Sequence, residues 1–254
     1  FVGFIDDVLI FIHRPIKPIL GIIAAIPLAS LTIENNSSIL HFPFIGPVDF
    51  GIFFAILIIP LLISFTSNAF NTMADFDGLA PLNGIIMALA LLVIFSFTLR
   101  FTSIFFLLAL VPPLLVLWHY NHMPSRLFLG DTGTLFIGAV LGIAAVGANR
   151  ELAVLILFTP YLVHFMLQCR YPFDHHTLLA RPCERGIPQK NGTIKSEYTR
   201  SYGLTHFLMI HIKKMTERKL VYTLALIELA VALLAIWQES PNLRFTLRLP
   251  IIPQ

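Results

Sequence analysis

The chain has 254 residues, 57% hydrophobic and only 12% charged, with a mean hydropathy of +0.82 and a formal net charge of +3 at pH 7. A soluble domain is about 45 to 50% apolar with about a quarter of its residues charged, so this composition excludes one. It is that of an all-α, polytopic membrane protein, and no nucleic-acid partner is expected.

Phe1-Val-Gly-Phe-Ile5 reads as the tail of an apolar segment whose beginning is absent. Apolar runs near the roughly 20 residues needed to cross a bilayer follow at 16–33, 50–67, 79–99, 102–118, 132–148, 151–169 and 220–238. About seven spans are therefore predicted, forming one membrane-embedded domain over 1–254 that contains a polar loop region at 170–219. No repeat of solenoid period is visible. Cys169 and Cys183 have neither metal-site nor disulfide-framework spacing and read as incidental thiols.

Where the second run ends, Asn68-Ala-Phe-Asn71-Thr-Met-Ala-Asp75-Phe-Asp77-Gly78 brings two carboxamides and two carboxylates. An Asp at membrane depth costs about 2.5 to 3.5 kcal/mol, so such a cluster lines a cavity or a site. A helix continued through it would put Asn68, Asn71 and Asp75 on one face with Asp77 pointing elsewhere, and Gly78 would stop that helix nearby. Taken singly, each of these residues reads as a cap or turn residue.

Lys and Arg give the orientation. Loops of one parity carry Arg14, Lys17, Arg126, Arg170, Arg181, Arg185, Lys190, Lys195, Arg200, Lys213, Lys214, Arg218 and Lys219, thirteen of the 17, whereas the other parity has Arg100, Arg150, Arg244 and Arg248. The first set is expected to be cytoplasmic, and Asp6-Asp7, the 68–77 cluster, the 119–131 loop and the 175–185 region share that side. In the last loop, His206, His211, Lys213 and Lys214 read as an interfacial segment drawn to anionic headgroups. Asp174-His175-His176 and Arg181-Pro-Cys-Glu-Arg185 are dense in phosphate-binding types.

Phe4-Ile-Asp6-Asp7, Asn68 through Leu79, Asn121-His-Met-Pro124-Ser-Arg-Leu-Phe128-Leu-Gly130-Asp131 and the His/Arg loop, in that order, resemble the polyprenyl-phosphate N-acetylhexosamine-1-phosphate transferases. That family includes the bacterial phospho-MurNAc-pentapeptide translocase and the tunicamycin-sensitive enzyme that begins the dolichol-linked glycan. The resemblance implies ten spans with the paired aspartates after the second, so the first two would be missing from this chain.

It further implies a reaction: a polyprenyl phosphate oxygen attacks the sugar-bearing phosphorus of a UDP-sugar, giving polyprenyl-diphospho-sugar and UMP. Asp6 and Asp7 would lie beside the acceptor phosphate, and Lys17 would meet phosphate. Asp131, with Asp77, would hold magnesium, with manganese as an alternative. Asn68, Asn71 and Asp77 would line the nucleotide and metal site, Asn121 would support the uridine pocket and Phe128 would stack on uracil. His175, His176, Arg181 and Arg185 would bind substrate phosphates.

The chain departs from the bacterial Asp-Gly-Leu-Asp-Gly-Leu at Ala74 to Leu79, which leaves Asp75 without an assigned role. It also departs from the eukaryotic Pro-Arg-His-Arg-Ile-Pro, with Cys183 and Glu184 substituted. UDP-N-acetylglucosamine is the expected donor and a dolichyl or undecaprenyl phosphate the acceptor. The expected location is a prokaryotic plasma membrane, with the site facing the cytoplasm and membrane lipid around it.

A phosphate monoester, with its second pKa near 6, is already about tenfold ionised at pH 7, so a general base at Asp7 would gain only roughly a few hundredths of a kcal/mol. Asp7 is therefore expected to position substrate or metal, with the base role left open. Asp131, at the start of an apolar run, can also be read as an ordinary helix N-cap. Two alternatives to the transferase stand: an ion- or proton-coupled transporter, to which Glu228 in the last run would contribute, and an inactive truncated homologue. The sequence leaves the oligomeric state, homodimer included, undecided.

Overall fold

The computed structural model describes residues 1–9, 16–33, 38–42, 46–176 and 182–240. Arg14 and Arg181 lie outside them. The elements in chain order are α1 (Val2–Leu9), α2 (Ile16–Ile33), a hairpin of β1 (Ile39–Phe42) and β2 (Gly46–Asp49), and a π-helical turn (Phe54–Ile58) that runs into α3 (Ile59–Thr72). There follow α4 (Leu79–Ser96), α5 (Phe101–Asn121), α6 (Gly130–Gly147), α7 (Glu151–Leu157), α8 (Thr159–Gln168) and α9 (Arg170–His175). The hairpin β3 (Ile187–Pro188) with β4 (Ile194–Lys195), α10 (Leu204–His211) and α11 (Glu217–Glu239) complete the fold.

Every predicted apolar run falls on a helix, and the all-α membrane class holds. Among the described residues, five helices are long and apolar enough to span a bilayer, or six if the α7 to α9 stretch counts as one span bent by 56°. The run at 16–33 forms α2, whose apolar part Ile16–Leu28 is shorter than the other spans. The bend in the sixth is local: Pro160 sits at the start of α8, with no N–H to continue the ladder from α7, so the axis turns at Phe158.

Helices α3 and α6 form the centre. At Gly138 an added Cβ would fall on the Thr66 carbonyl and the Ser67 backbone, so the glycine lets two backbones touch, as small residues do between membrane helices. Phe70, Phe158 and Tyr161 fill the space between α3 and α8, with ring centroids 5.2 to 6.4 Å apart. Outside this core α5 turns Phe101, Phe105 and Phe106 outward, where hydrocarbon is the matching solvent.

The helix does not continue through the acidic cluster. Helix α3 stops at Thr72, and Gly78 is not its stop but the N-cap of α4, held at φ 82°. In that left-handed region an L side chain is strained, which is why glycine marks this turn.

Candidate active site

Helix α1 runs against the start of α6. Gly3 makes this approach possible, because a Cβ there would meet the Asp131 carbonyl 2.6 Å away. One turn later the Asp7 carboxylate reaches the end of α6 and accepts from the Asp131 N–H at 2.8 Å, the Thr132 N–H at 2.9 Å and the Thr132 hydroxyl at 2.6 Å. The first N–H groups of any helix lack intrahelical partners and carry partial positive charge, and Asp7 supplies both an acceptor and a negative charge. Burial opposes its ionisation, but the Thr132 hydroxyl and the two backbone donors outweigh that and hold its carboxyl below the usual carboxylate range.

The cap of α6 thus comes from another helix. The N-cap position is Leu129, without a side-chain cap bond, and Asp131 lies inside the first turn. This corrects the reading of Asp131 as an ordinary N-cap: its carboxylate instead pairs with the Lys17 ammonium. Lys17 also pairs with Asp6 at 2.5 Å, so one lysine from the start of α2 bridges carboxylates of α1 and α6.

The end of α3 faces this ion-pair cluster. The Asn68 amide donates to the Ser64 carbonyl at 2.8 Å, and the Asn71 carboxamide oxygen accepts from the Thr134 hydroxyl at 2.7 Å. Asn68 therefore keeps its oxygen, and Asn71 its amide, for anything that enters between them. A polar cavity of about 250 Å³ opens there, lined by Lys17, Asn68, Asn71, Thr72, Asp75, Asp131, Gln168 and Glu184. Asp75 reaches the same cavity as Asn68 and Asn71 from the loop, not from a continued helix.

A second cavity, of about 230 Å³, abuts the first and shares Lys17 and Asn68 with it. Its walls are mostly apolar, with Ala24 and Leu28 from α2, Ile63 from α3, and Leu135, Phe136 and Ile143 from α6. Charge and hydrogen-bonding groups thus adjoin a mostly apolar groove.

Asp77 does not line the cavity that holds Asp131. It lies in a separate depression with Trp118, His122, Arg218 and Tyr222, and its carboxylate accepts from the Ser125 N–H at 3.3 Å. Asn121 is buried and works on the loops around it: its oxygen accepts from the Gly78 N–H at 2.9 Å, and its amide donates to the Leu127 carbonyl at 2.6 Å. The 122–129 loop that it folds carries Phe128, 74% exposed and able to stack on a planar ligand.

Of the described residues of the His/Arg loop, Glu184 lines the cavity, whereas His175, His176 and Arg185 do not. His175 packs its ring on Tyr171 at 4.3 Å and on Tyr202 at 5.8 Å, and His176 closes α9 at φ 52°. Arg185 is exposed.

The residues missed in the sequence are Gln168, Glu184, Thr132 and Thr134. The Glu184 carboxylate enters a buried socket, where it accepts from Gln168 at 2.9 Å and from the Thr205 hydroxyl at 2.5 Å, with His164 at 3.7 Å. Gly203 leaves room for it, since a Cβ there would come within 3.0 Å of the carboxylate. Its departure from the family pattern was the signal available.

Oxygen donors and net negative charge fit a hard divalent cation such as magnesium. The cavity lining carries three carboxylates, Asp75, Asp131 and Glu184, against one ammonium, Lys17, a formal charge of −2 that would repel a diphosphate by itself. Among the described residues no three His, Cys, Asp or Glu side chains gather as a closed metal site. Magnesium needs no such cage, because it is held by one or two carboxylates with substrate phosphates and waters.

The model of glycosyl transferase family 4 matches residues 1–149. The chain is 35% identical over 175 residues to a Saccharolobus solfataricus protein named as a UDP-N-acetylglucosamine-dolichyl-phosphate N-acetylglucosaminephosphotransferase, covering 68% of this chain and 53% of that one. A protein of the same name from Sulfolobus acidocaldarius is 32% identical over 242 residues, covering 93% and 69%. The phospho-N-acetylmuramoyl-pentapeptide-transferase of Clostridium beijerinckii is 32% identical over 173 residues, covering 64% and 53%. The chain spans about half to two thirds of the length of these relatives.

Proposed function

The chain belongs to glycosyl transferase family 4, and from that premise we propose that it transfers N-acetylglucosamine 1-phosphate from UDP-N-acetylglucosamine to a polyprenyl phosphate in a prokaryotic plasma membrane, with its site facing the cytoplasm. One observation carries the reading. The polar cavity shares Lys17 and Asn68 in its wall with a mostly apolar groove between α2, α3 and α6, a pairing that suits an isoprenoid phosphate.

In the reaction, an oxygen of the polyprenyl phosphate attacks the sugar-bearing phosphorus of the donor, a new P–O bond forms and the bond to UMP breaks. UMP leaves with its electron pair on phosphate oxygen, and no net proton transfer to the protein is required once the acceptor is a dianion. The work left to the protein is positioning and charge. Lys17 supplies a fixed cation where groove and cavity meet. Asp6 and Asp131 hold that ammonium in place. The Asn71 amide and the Asn68 oxygen suit a donor phosphate and a hydroxyl respectively, and Phe128 offers its ring to uracil. Asp7 fixes the α6 terminus on which Asp131 rides, a positioning role rather than that of a base.

Magnesium, if bound by Asp131 with Asp6 or Asp75, would neutralise the diphosphate and stabilise the UMP leaving group. Asp77, in its own depression, is better suited to fixing the loop that carries Phe128.

The test is UMP release by the purified protein given a polyprenyl phosphate and a panel of UDP-sugars. Release with UDP-N-acetylglucosamine that depends on both acceptor and magnesium supports the proposal. Binding of UDP-sugar without any release would remove it.

A further inference from the structure

Beyond the proposed site, the junction of α10 and α11 carries an unclaimed cluster of positive charge. Helix α10 buries Thr205, Leu208 and Met209 against the protein and leaves Phe207 and Ile210 outward, 43% and 39% exposed. His211, Lys213, Lys214, Arg218 and Lys219 then follow within nine residues, all exposed, with Glu217 as the sole acid among them. This crest is fixed from both ends. Met215 is 1% exposed, and its carbonyl accepts from the Ile194 N–H at 2.7 Å, while the Thr216 hydroxyl caps α11 by accepting from the Lys219 N–H at 3.2 Å.

The depth of the crest follows from α11. Tyr222, Leu226, Leu229, Leu233 and Trp237 are exposed and recur every three or four residues, so they form one outward face. Over Glu217–Glu239 the helix itself rises about 33 Å, close to the roughly 30 Å hydrocarbon thickness of a bilayer, so its first turn falls at one boundary and Trp237 near the other. Lys219 precedes Tyr222 by three residues on the same side. Lysines 213, 214 and 219 therefore stand at headgroup level, and Phe207 and Ile210 are apolar neighbours suited to the acyl boundary.

We propose that the α10–α11 junction is a binding surface for anionic phospholipid of the surrounding leaflet, held by Lys213, Lys214 and Lys219 with Phe207 and Ile210 inserted beside them. A lone basic residue at a span end would serve topology only. Here the lysines are displayed on a turn held by a buried residue and a cap, so the binding geometry exists before the lipid arrives. Arg218 is set aside, because it lines the Asp77 depression.

The experiment reconstitutes the full chain into phosphatidylcholine bilayers with traces of spin-labelled phosphatidylglycerol or spin-labelled phosphatidylcholine. The motionally restricted fraction of each is then read at low and at high salt. The wild-type protein is expected to restrict the anionic label preferentially, with the preference shrinking at high salt. Lys213→Gln, Lys214→Gln and Lys219→Gln together are expected to reduce it about tenfold or more while the thermal midpoint stays in place. Equal preference in the triple variant would overturn the proposal. So would displacement of the anionic label by equimolar polyprenyl phosphate, which would make the substrate, not leaflet lipid, the occupant. Neither arm requires turnover, so the result stands apart from the fate of the transferase reading.

Discussion

The Asp7 carboxylate accepts from the Thr132 hydroxyl at 2.6 Å and from the Thr132 N–H at 2.9 Å, so the N-terminus of α6 is capped by a residue 125 positions earlier in the chain. Three donors converge on this carboxylate once the Asp131 N–H is counted, and a group so engaged is poorly placed to collect a proton. The cap joins two parts of the site. Asp131 can face the cavity only while the turn carrying it is held.

Asp7→Ala is expected to lower stability by about 1 to 2 kcal/mol, the upper range for a lost cap, and Asp7→Asn by less, since one acceptor oxygen remains. The sign with pH follows from the depressed pKa. Its contribution is complete above the ordinary carboxylate value of about 3.9 and is lost as pH falls through the lower folded value. Thermal unfolding in detergent between neutral pH and pH 3 measures both. The pH–rate profile of residual UMP release in Asp7→Asn should keep its wild-type shape, and a lost limb would restore the general-base role.

Gly130 offers a sharper steric test. It sits at φ 61°, and a Cβ there would be 2.7 Å from an Asp7 carboxylate oxygen. Gly130→Ala is expected to cost the left-handed strain of about 1 to 2 kcal/mol plus displacement of the cap. Gly192→Ala is the control, because Gly192 has φ 76° with nothing within 4 Å and shares only the strain. Comparable thermal shifts in the two variants would mean that Asp7 yields freely.

The membrane class and the span-length helices could be read from hydrophobic runs, because in lipid the backbone must satisfy itself and an apolar run of span length has few alternatives; the short α9 and α10 lie in the stretch read as a polar loop. Asp6, Asp7, Asn68, Asn71 and Asp131 were legible as types out of place. What they bond to was not. Asp7 closing α6, and Lys17 joining α1 to α6, are contacts between distant segments that no local pattern encodes. The end of α3 misled for a related reason: the spacing of Asn68, Asn71 and Asp75 fits a helix, yet Gly78 belongs to the next one. Glu184 was seen as a substitution, but its socket depends on Gln168 and on Gly203 with Thr205, from two other places in the chain.

That socket clamps the 182–186 segment to α8 and α10. Cys183 holds it from the other side, its N–H donating to the Tyr198 hydroxyl at 3.0 Å and its carbonyl accepting from His206 at 2.9 Å. Glu184→Ala is expected to release the segment and Glu184→Gln to retain most of the clamp. Desolvation pushes His206 below the usual histidine range against the Cys183 bond, so the folded state keeps it neutral while an unfolded one takes up a proton. Stability from this contact is therefore present above about pH 6.5 and lost as pH falls toward the lower folded value. Limited proteolysis of this segment at pH 7.5 and 5.5 checks both. Equal cleavage of wild type and Glu184→Ala at both pH values would remove the clamp.

Asp131 separates the structural from the chemical account of the site. Its backbone N–H gives the bond that Asp7 receives, so the α6 cap does not depend on its side chain. Asp131→Asn should keep the cap and cost only the part-exposed pair with Lys17, about 1 kcal/mol or less. Transfer should fall by orders of magnitude, because a neutral amide is a poor magnesium ligand and the cavity loses a charge. Lys17→Met is the complementary change. It leaves Asp6 and Asp131 without their shared cation, raises the negative charge of the cavity, and should make turnover more dependent on magnesium while lowering its maximum. UMP release titrated against magnesium, with thermal midpoints on the same samples, distinguishes the two variants. Wild-type turnover of Asp131→Asn at limiting magnesium would assign the carboxylate to holding Lys17 alone.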